Sequence, residues 1–111
     1  MKKDYYNVNG KSYKFAVLSF DKRIPNISAV YIFANKEYEP LYIGESSDIR
    51  ERIEYHKNSD RTKWNCANEK GFNYICFHPV LVKMNQKENR RRIESELIDN
   101  YKPPCNLSQN R

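Results

Sequence analysis

The chain has no C-x-x-C pair, and its three cysteines, Cys66, Cys76 and Cys105, are an odd number. That argues against a disulfide framework and predicts reduced thiols in an intracellular protein. A zinc site built from Cys66, Cys76 and His78 matches no common ligand spacing. Glycine is scarce, with three in 111 residues. No stretch approaches the roughly 20 apolar residues of a membrane span. The basic start, residues 1–4, is followed by no apolar segment, so no secretory leader is expected. Internal repeats and low-complexity segments are also missing.

What remains is a chain of single-domain length. Charged residues make up 31% and aromatics 14%, and nine of the aromatics are tyrosines. This is not the composition of a disordered chain. Twenty Lys and Arg against fourteen Asp and Glu give a net charge of +6. Such a charge serves solubility, or it meets a polyanion, most often nucleic acid. Tyrosine can stack on bases, and it is equally ordinary core material.

Asn9-Gly10 is a strong hairpin signal between strand-like flanks, pairing residues near 5–8 with residues near 11–18. Residues 29–34 (AVYIFA) and 41–44 (LYIG) read as two strands joined closely enough to lie antiparallel. A helix follows, with Asp48 as N-cap and Glu51 as its capping-box partner. Ile49, Arg52, Ile53 and His56 share one face of it. Residues 61–71 suggest a shorter helix ending at Gly71. Residues 72–82 form a further strand, with Pro79 at its end or edge. The last helix spans residues 85–102, with Asn85 and Glu88 as a second capping box and Pro103-Pro104 as its stop. The order predicts an α+β fold.

On that last helix Glu94 sits among Ile93, Leu97, Ile98 and Tyr101, on the stripe that should face the core. A buried carboxylate is costly unless paired or bound to a metal. One reading is a salt bridge to Arg90 or Arg91. The other is a divalent-ion ligand, because Mg²⁺ often takes one or two carboxylates and completes its shell with water and phosphate oxygens. Two phenols, a guanidinium and a carboxylate, without a cysteine nucleophile, suit phosphoryl chemistry.

The residues that carry this chemistry stand in a recognisable pattern. Ala29-Val30-Tyr31 and Tyr42-Ile43-Gly44 are followed by Arg52, then His56, then Glu94 on a late helix, then Pro103-Pro104-Cys105-Asn106. The pattern resembles the GIY-YIG nuclease family from residue 29 to residue 106, and most closely its small single-domain members. The resemblance implies a central three-stranded antiparallel sheet flanked by helices. Residues 1–28 lie outside the resemblance and read as an extension with a hairpin, favoured as an added edge of the sheet over a substrate-reading element, and residues 107–111 as a tail.

The resemblance also implies a metal-dependent endonuclease that hydrolyses DNA with one divalent ion, Mg²⁺ or Mn²⁺, leaving 5′-phosphate and 3′-hydroxyl ends. Its catalytic residues would be Tyr31, Tyr42, Arg52, His56, Glu94 and Asn106, with Glu94 on the metal. Tyr31 would activate water, helped by a nearby cation that lowers its pKa. Gly44, Arg52, Lys57, Arg61 and Lys63 would meet the nucleic acid. Two positions depart from the family pattern: Ala29 replaces a glycine, and Glu45 follows the second motif, where its carboxylate would repel phosphate. Glu45 motivates the alternative, a nucleic-acid-binding module without chemistry on the same scaffold. A domain this small has little surface for sequence readout, so long-site specificity would need a homodimer or a partner protein.

Overall fold

The computed structural model describes residues 5–19 and 22–107. Its strands are β1 (Tyr5–Val8), β2 (Lys11–Lys14), β3 (Ala16–Ser19), β4 (Ala29–Asn35), β5 (Pro40–Ser46) and β6 (Phe72–Pro79). Its helices are α1 (Ile49–Asn58), α2 (Thr62–Glu69), α3 (Gln86–Tyr101) and the single turn α4 (Pro104–Leu107). The fold is α+β with antiparallel sheets, as expected.

The main sheet has the order β3-β6-β4-β5. The three expected strands are there, and β3 adds a fourth at one edge. β4 is buried and apolar or aromatic from Ala29 to Ala34 because both of its faces are covered. Ala29, Tyr31 and Phe33 pack under α1 and α2 with Ile53, Trp64 and Phe72. Val30, Ile32 and Ala34 pack with Ile93 and Leu97 of α3 and with Tyr6 and Phe15. Alternate residues of one strand thus feed two core layers.

Asn9 (φ 49°) and Gly10 (φ 80°) are both left-handed, which suits the tight turn between β1 and β2. The hairpin does not extend the main sheet. It forms its own two-stranded sheet and docks on α3, where the Asn7 N–H donates to the Tyr101 hydroxyl at 2.8 Å. The chain then turns at Phe15, and β3 supplies the added edge instead.

Asp48 caps α1 by accepting from the Glu51 N–H at 3.2 Å. The return arm of the expected capping box is replaced, since the Asp48 N–H donates to Ser46 Oγ at 3.1 Å. Asn85 does not cap α3. It sits at φ 54° with no side-chain cap bond, which asparagine tolerates and which bends the chain into the helix. At the other end Lys102 takes φ 48° and donates its N–H to Ile98, and Pro103 follows.

The cysteine reading needs correction. Cys66 on α2 and Cys105 on α4 are disulfide-bonded across 39 residues of sequence, and Cys76 is the buried free thiol. Sequence spacing carries no information about such a pairing. The fold supplies it by laying α4 against α2. Closing a loop of this length stabilises a fold by roughly 3–4 kcal/mol in the chain-entropy view. Reduction with dithiothreitol is therefore expected to lower the urea midpoint, with a loss of about 3 kcal/mol. An unchanged midpoint would mean that the two thiols are not bonded in solution.

Candidate active site

Tyr31 on β4 and Gly44 on β5 are directly opposed in the register. The Tyr31 ring lies across the glycine, so that a Cβ on Gly44 would come within 2.5 Å of both Cζ and the hydroxyl oxygen. The second motif ends in glycine because a phenol occupies the space of a side chain. Gly44 is itself buried. It was expected to meet nucleic acid, but here it makes room for Tyr31.

The Tyr31 hydroxyl is 2.7 Å from His56 Nε2, and neither residue is more than 2% exposed. Burial, then the charge of Arg52, lowers the His56 pKa to about 4, so the imidazole is neutral at neutral pH. Burial also pushes the Tyr31 phenol well above its usual value. The expected lowering by Arg52 is present but smaller than the cost of desolvation. Tyr42 follows the same rule, raised by burial and partly offset by Arg52. Its ring lies 6.1 Å from that of Tyr31 and 5.4 Å from that of His56, centroid to centroid.

Arg52 stands on the exposed side of α1, beside both phenols, with its guanidinium 4.9 Å from the Tyr55 ring centre. Lys63 on α2 completes the cationic side, with Nζ 5.9 Å from the Tyr42 ring centre. Lys57 and Arg61 do not join this group. Arg61 folds back onto the Lys57 carbonyl at 2.6 Å, and Lys57 lies on the other flank of α1.

Asn106 is buried behind β5. Its side chain accepts from the Ile43 N–H and donates to the Ile43 carbonyl, both at 2.8 Å. It thereby acts as one residue of an absent neighbouring strand and satisfies the sheet edge just before Gly44. The disulfide at Cys105 anchors the turn that carries it.

Glu94 is half-buried on α3, near enough to Tyr42 and Glu45 on β5 for its charge to act on theirs. Neither salt-bridge candidate pairs with it. Arg90 donates instead to Glu45 at 2.7 Å and to Ser28 Oγ at 2.9 Å, and Arg91 approaches Glu45 at 3.7 Å. Among the described residues, no side chain hydrogen-bonds or ion-pairs with Glu94. Burial, then the charge of Glu45, raises its pKa to about 7, with Arg91 opposing. The Arg90–Glu45 pair had no signal in the sequence, because 45 residues separate its members.

An unsatisfied, half-buried carboxylate fits a cation. No group of three His, Cys, Asp or Glu able to hold a metal occurs among the described residues. An ion at Glu94 would therefore depend on water and substrate oxygens for the rest of its shell.

The raised pKa has a stability consequence in metal-free protein. Between about 4.5 and about 7 the unfolded chain ionises Glu94 while the fold keeps it protonated. Stability from this group is present below that window and lost as pH rises through it. Glu94→Gln, which stays neutral, is expected to raise the thermal midpoint over the parent at pH 8 and to lose that advantage at pH 4. An equal difference at both pH values would contradict the assignment.

Comparison with known proteins identifies the family. The GIY-YIG catalytic domain matches residues 27–108. UvrABC system protein C of Methanothermobacter thermautotrophicus is 29% identical over 89 residues, which is 78% of this chain and 14% of that protein. Its namesake in Malacoplasma penetrans is 30% identical over 86 residues, again 78% of this chain and 14% of the relative. The chain thus spans about a seventh of the length of these curated relatives.

Among solved structures, the GIY-YIG N-terminal endonuclease domain of UvrC from Thermotoga maritima, bound to magnesium as its catalytic divalent cation, superposes with a TM-score of 0.56. It is 27% identical, over 73% of this chain and 84% of that one. A point mutant of the same domain gives a TM-score of 0.58 at 23% identity, with 73% and 83% covered, which speaks to the fold alone. By this match over most of its length, the chain belongs to the GIY-YIG catalytic domain family.

Proposed function

We propose that this chain is a metal-dependent endonuclease that hydrolyses DNA phosphodiester bonds with one divalent ion, Mg²⁺ or Mn²⁺, at Glu94. The observation that carries the reading is Glu94 itself, a carboxylate with no hydrogen-bond or ion-pair partner among the described residues, near a cluster of two phenols and a guanidinium. The magnesium bound to the Thermotoga maritima domain supports the choice of metal. A bound divalent ion supplies Lewis-acid stabilisation of a phosphate oxygen and eases ionisation of water.

The chain's own residues supply the rest. Arg52 is exposed and pre-placed, so its planar fork can take two oxygens of the scissile phosphate and stabilise charge developing there. Tyr31 is too deeply buried to carry a full negative charge. Burial keeps His56 neutral as well, with a pKa of about 4, so the hydrogen-bonded pair acts by position: the Tyr31 hydroxyl, held by His56 Nε2, orients the attacking water, whose proton is released to solvent. Tyr42, which is coupled to both Tyr31 and Arg52, helps orient the pair. Asn106 acts by position, holding β5 and with it Gly44 and Tyr42. Lys63 extends the phosphate-binding surface beside Tyr42.

The alternative, a binding module without chemistry, drew on Glu45. Arg90 and Arg91 neutralise that carboxylate, so its repulsion of phosphate is muted. The ends of the product test the proposal. Nicks made in supercoiled DNA with Mg²⁺ should be resealed by DNA ligase, which requires 5′-phosphate and 3′-hydroxyl. Nicks that resist ligase, or that persist in EDTA, would contradict it.

A further inference from the structure

We propose that a second cleft, on the flank of α1 away from the active site, seats the nucleic-acid strand about three nucleotides from the scissile phosphate. The distance to the cut rests on the nuclease reading, whereas the identity of the occupant does not. The cleft encloses about 360 Å³ and lies between α1 and the segment that precedes β4. Its described lining carries four cations, Lys22, Arg23, Arg50 and Lys57, against one carboxylate, Glu54. Ile53 and Trp64 are among the apolar residues that line it. That volume is within the range of small-ligand sites, about 300–1,000 Å³.

Charge and shape together select the occupant. A cationic rim over an apolar floor suits a nucleotide, with the phosphate on the rim and the base or sugar below. The cations come from two chain segments that the fold brings together, so they are not one solvated helix face. Arg50 is half-buried and fixed by its Nε donating to the Ile24 carbonyl at 2.6 Å, and its terminal nitrogens bond to no other described residue.

The helix itself sets the distance. Arg50 and Lys57 stand on one flank of α1, and Arg52 and His56 on the other. A helix with its side chains is about 10–12 Å across. A strand that keeps its stacking advances about 3.4 Å along its axis per nucleotide. A strand crossing α1 from Arg52 would therefore reach the cleft after about three nucleotides.

Binding is read in EDTA, so it stands or falls independently of cleavage. A fluorescein-labelled 20-nucleotide single strand would be titrated with the parent and with Lys22→Glu/Arg23→Glu over a salt series. The proposal expects binding at least tenfold weaker and a salt slope smaller by about 1.5, corresponding to two lost phosphate contacts. Lys22→Ala/Arg23→Ala should lower the slope by the same amount without added repulsion. Both pairs lie on the surface, and a thermal melt checks that each variant folds. Parent-like affinity and slope in folded variants would overturn the proposal.

Discussion

Replacing Arg52 by alanine is expected to lower kcat/KM for DNA cleavage by about two to three orders of magnitude, the usual cost of losing one pre-placed donor to transition-state charge. Stability should change less than activity, because the side chain lies on the exposed side of α1, against Tyr55 and beside the Tyr31 and Tyr42 hydroxyls, and fills no core space. The loss should fall mainly on kcat if the guanidinium grips the phosphate most strongly as charge builds. Arg52→Lys should recover only part of it, since an ammonium cannot offer two parallel donors. Single-turnover cleavage at saturating enzyme makes the distinction. A purely higher KM with unchanged kcat would reduce Arg52 to a ground-state binding residue.

Gly44→Ala should be as damaging for a different reason. The backbone at Gly44 is not left-handed, so no conformational strain is involved. The clash is with Tyr31, whose ring and hydroxyl would lie 2.5 Å from the new methyl group. Tyr31 is fully buried and hydrogen-bonded to His56, so it has nowhere to retreat. Overpacking of this kind costs about 1–3 kcal/mol. Breaking the phenol–imidazole contact should also remove most of the activity. Removing the phenol tests the cause: Gly44→Ala/Tyr31→Leu should regain stability relative to Gly44→Ala and remain inactive. The two substitutions are in contact, so their effects should not add. A Gly44→Ala protein with parent stability and activity would show that the phenol is free to move.

Much of the site could be read in the sequence because local patterns carried it. Tyr31 and Tyr42 lie on strands marked by β-branched and aromatic runs, and Arg52 and His56 on a helix marked by its cap. Glu94 stood out because it interrupts an apolar stripe. Other features depend on contacts between distant segments. The Arg90–Glu45 pair, the Cys66–Cys105 bond and the grip of Asn106 on Ile43 join residues far apart in sequence, and no spacing announces them. The hairpin was visible, but its docking on α3 was not, because the strand signal runs on through Phe15. The net direction of the Tyr31 pKa is hidden in the sequence for a similar reason. The cation beside it could be inferred, whereas the completeness of its burial could not.

On the proposed reading, phosphodiester hydrolysis depends on a divalent ion held by Glu94. The most direct test compares the parent with Glu94→Ala on one labelled DNA substrate, in Mg²⁺ and in EDTA, with DNA binding measured alongside. The account predicts cleavage by the parent in Mg²⁺ only, none by the variant, and similar DNA affinity for the two. Cleavage by Glu94→Ala at the parent rate would contradict it, as would a parent that binds DNA and never cuts with any divalent metal.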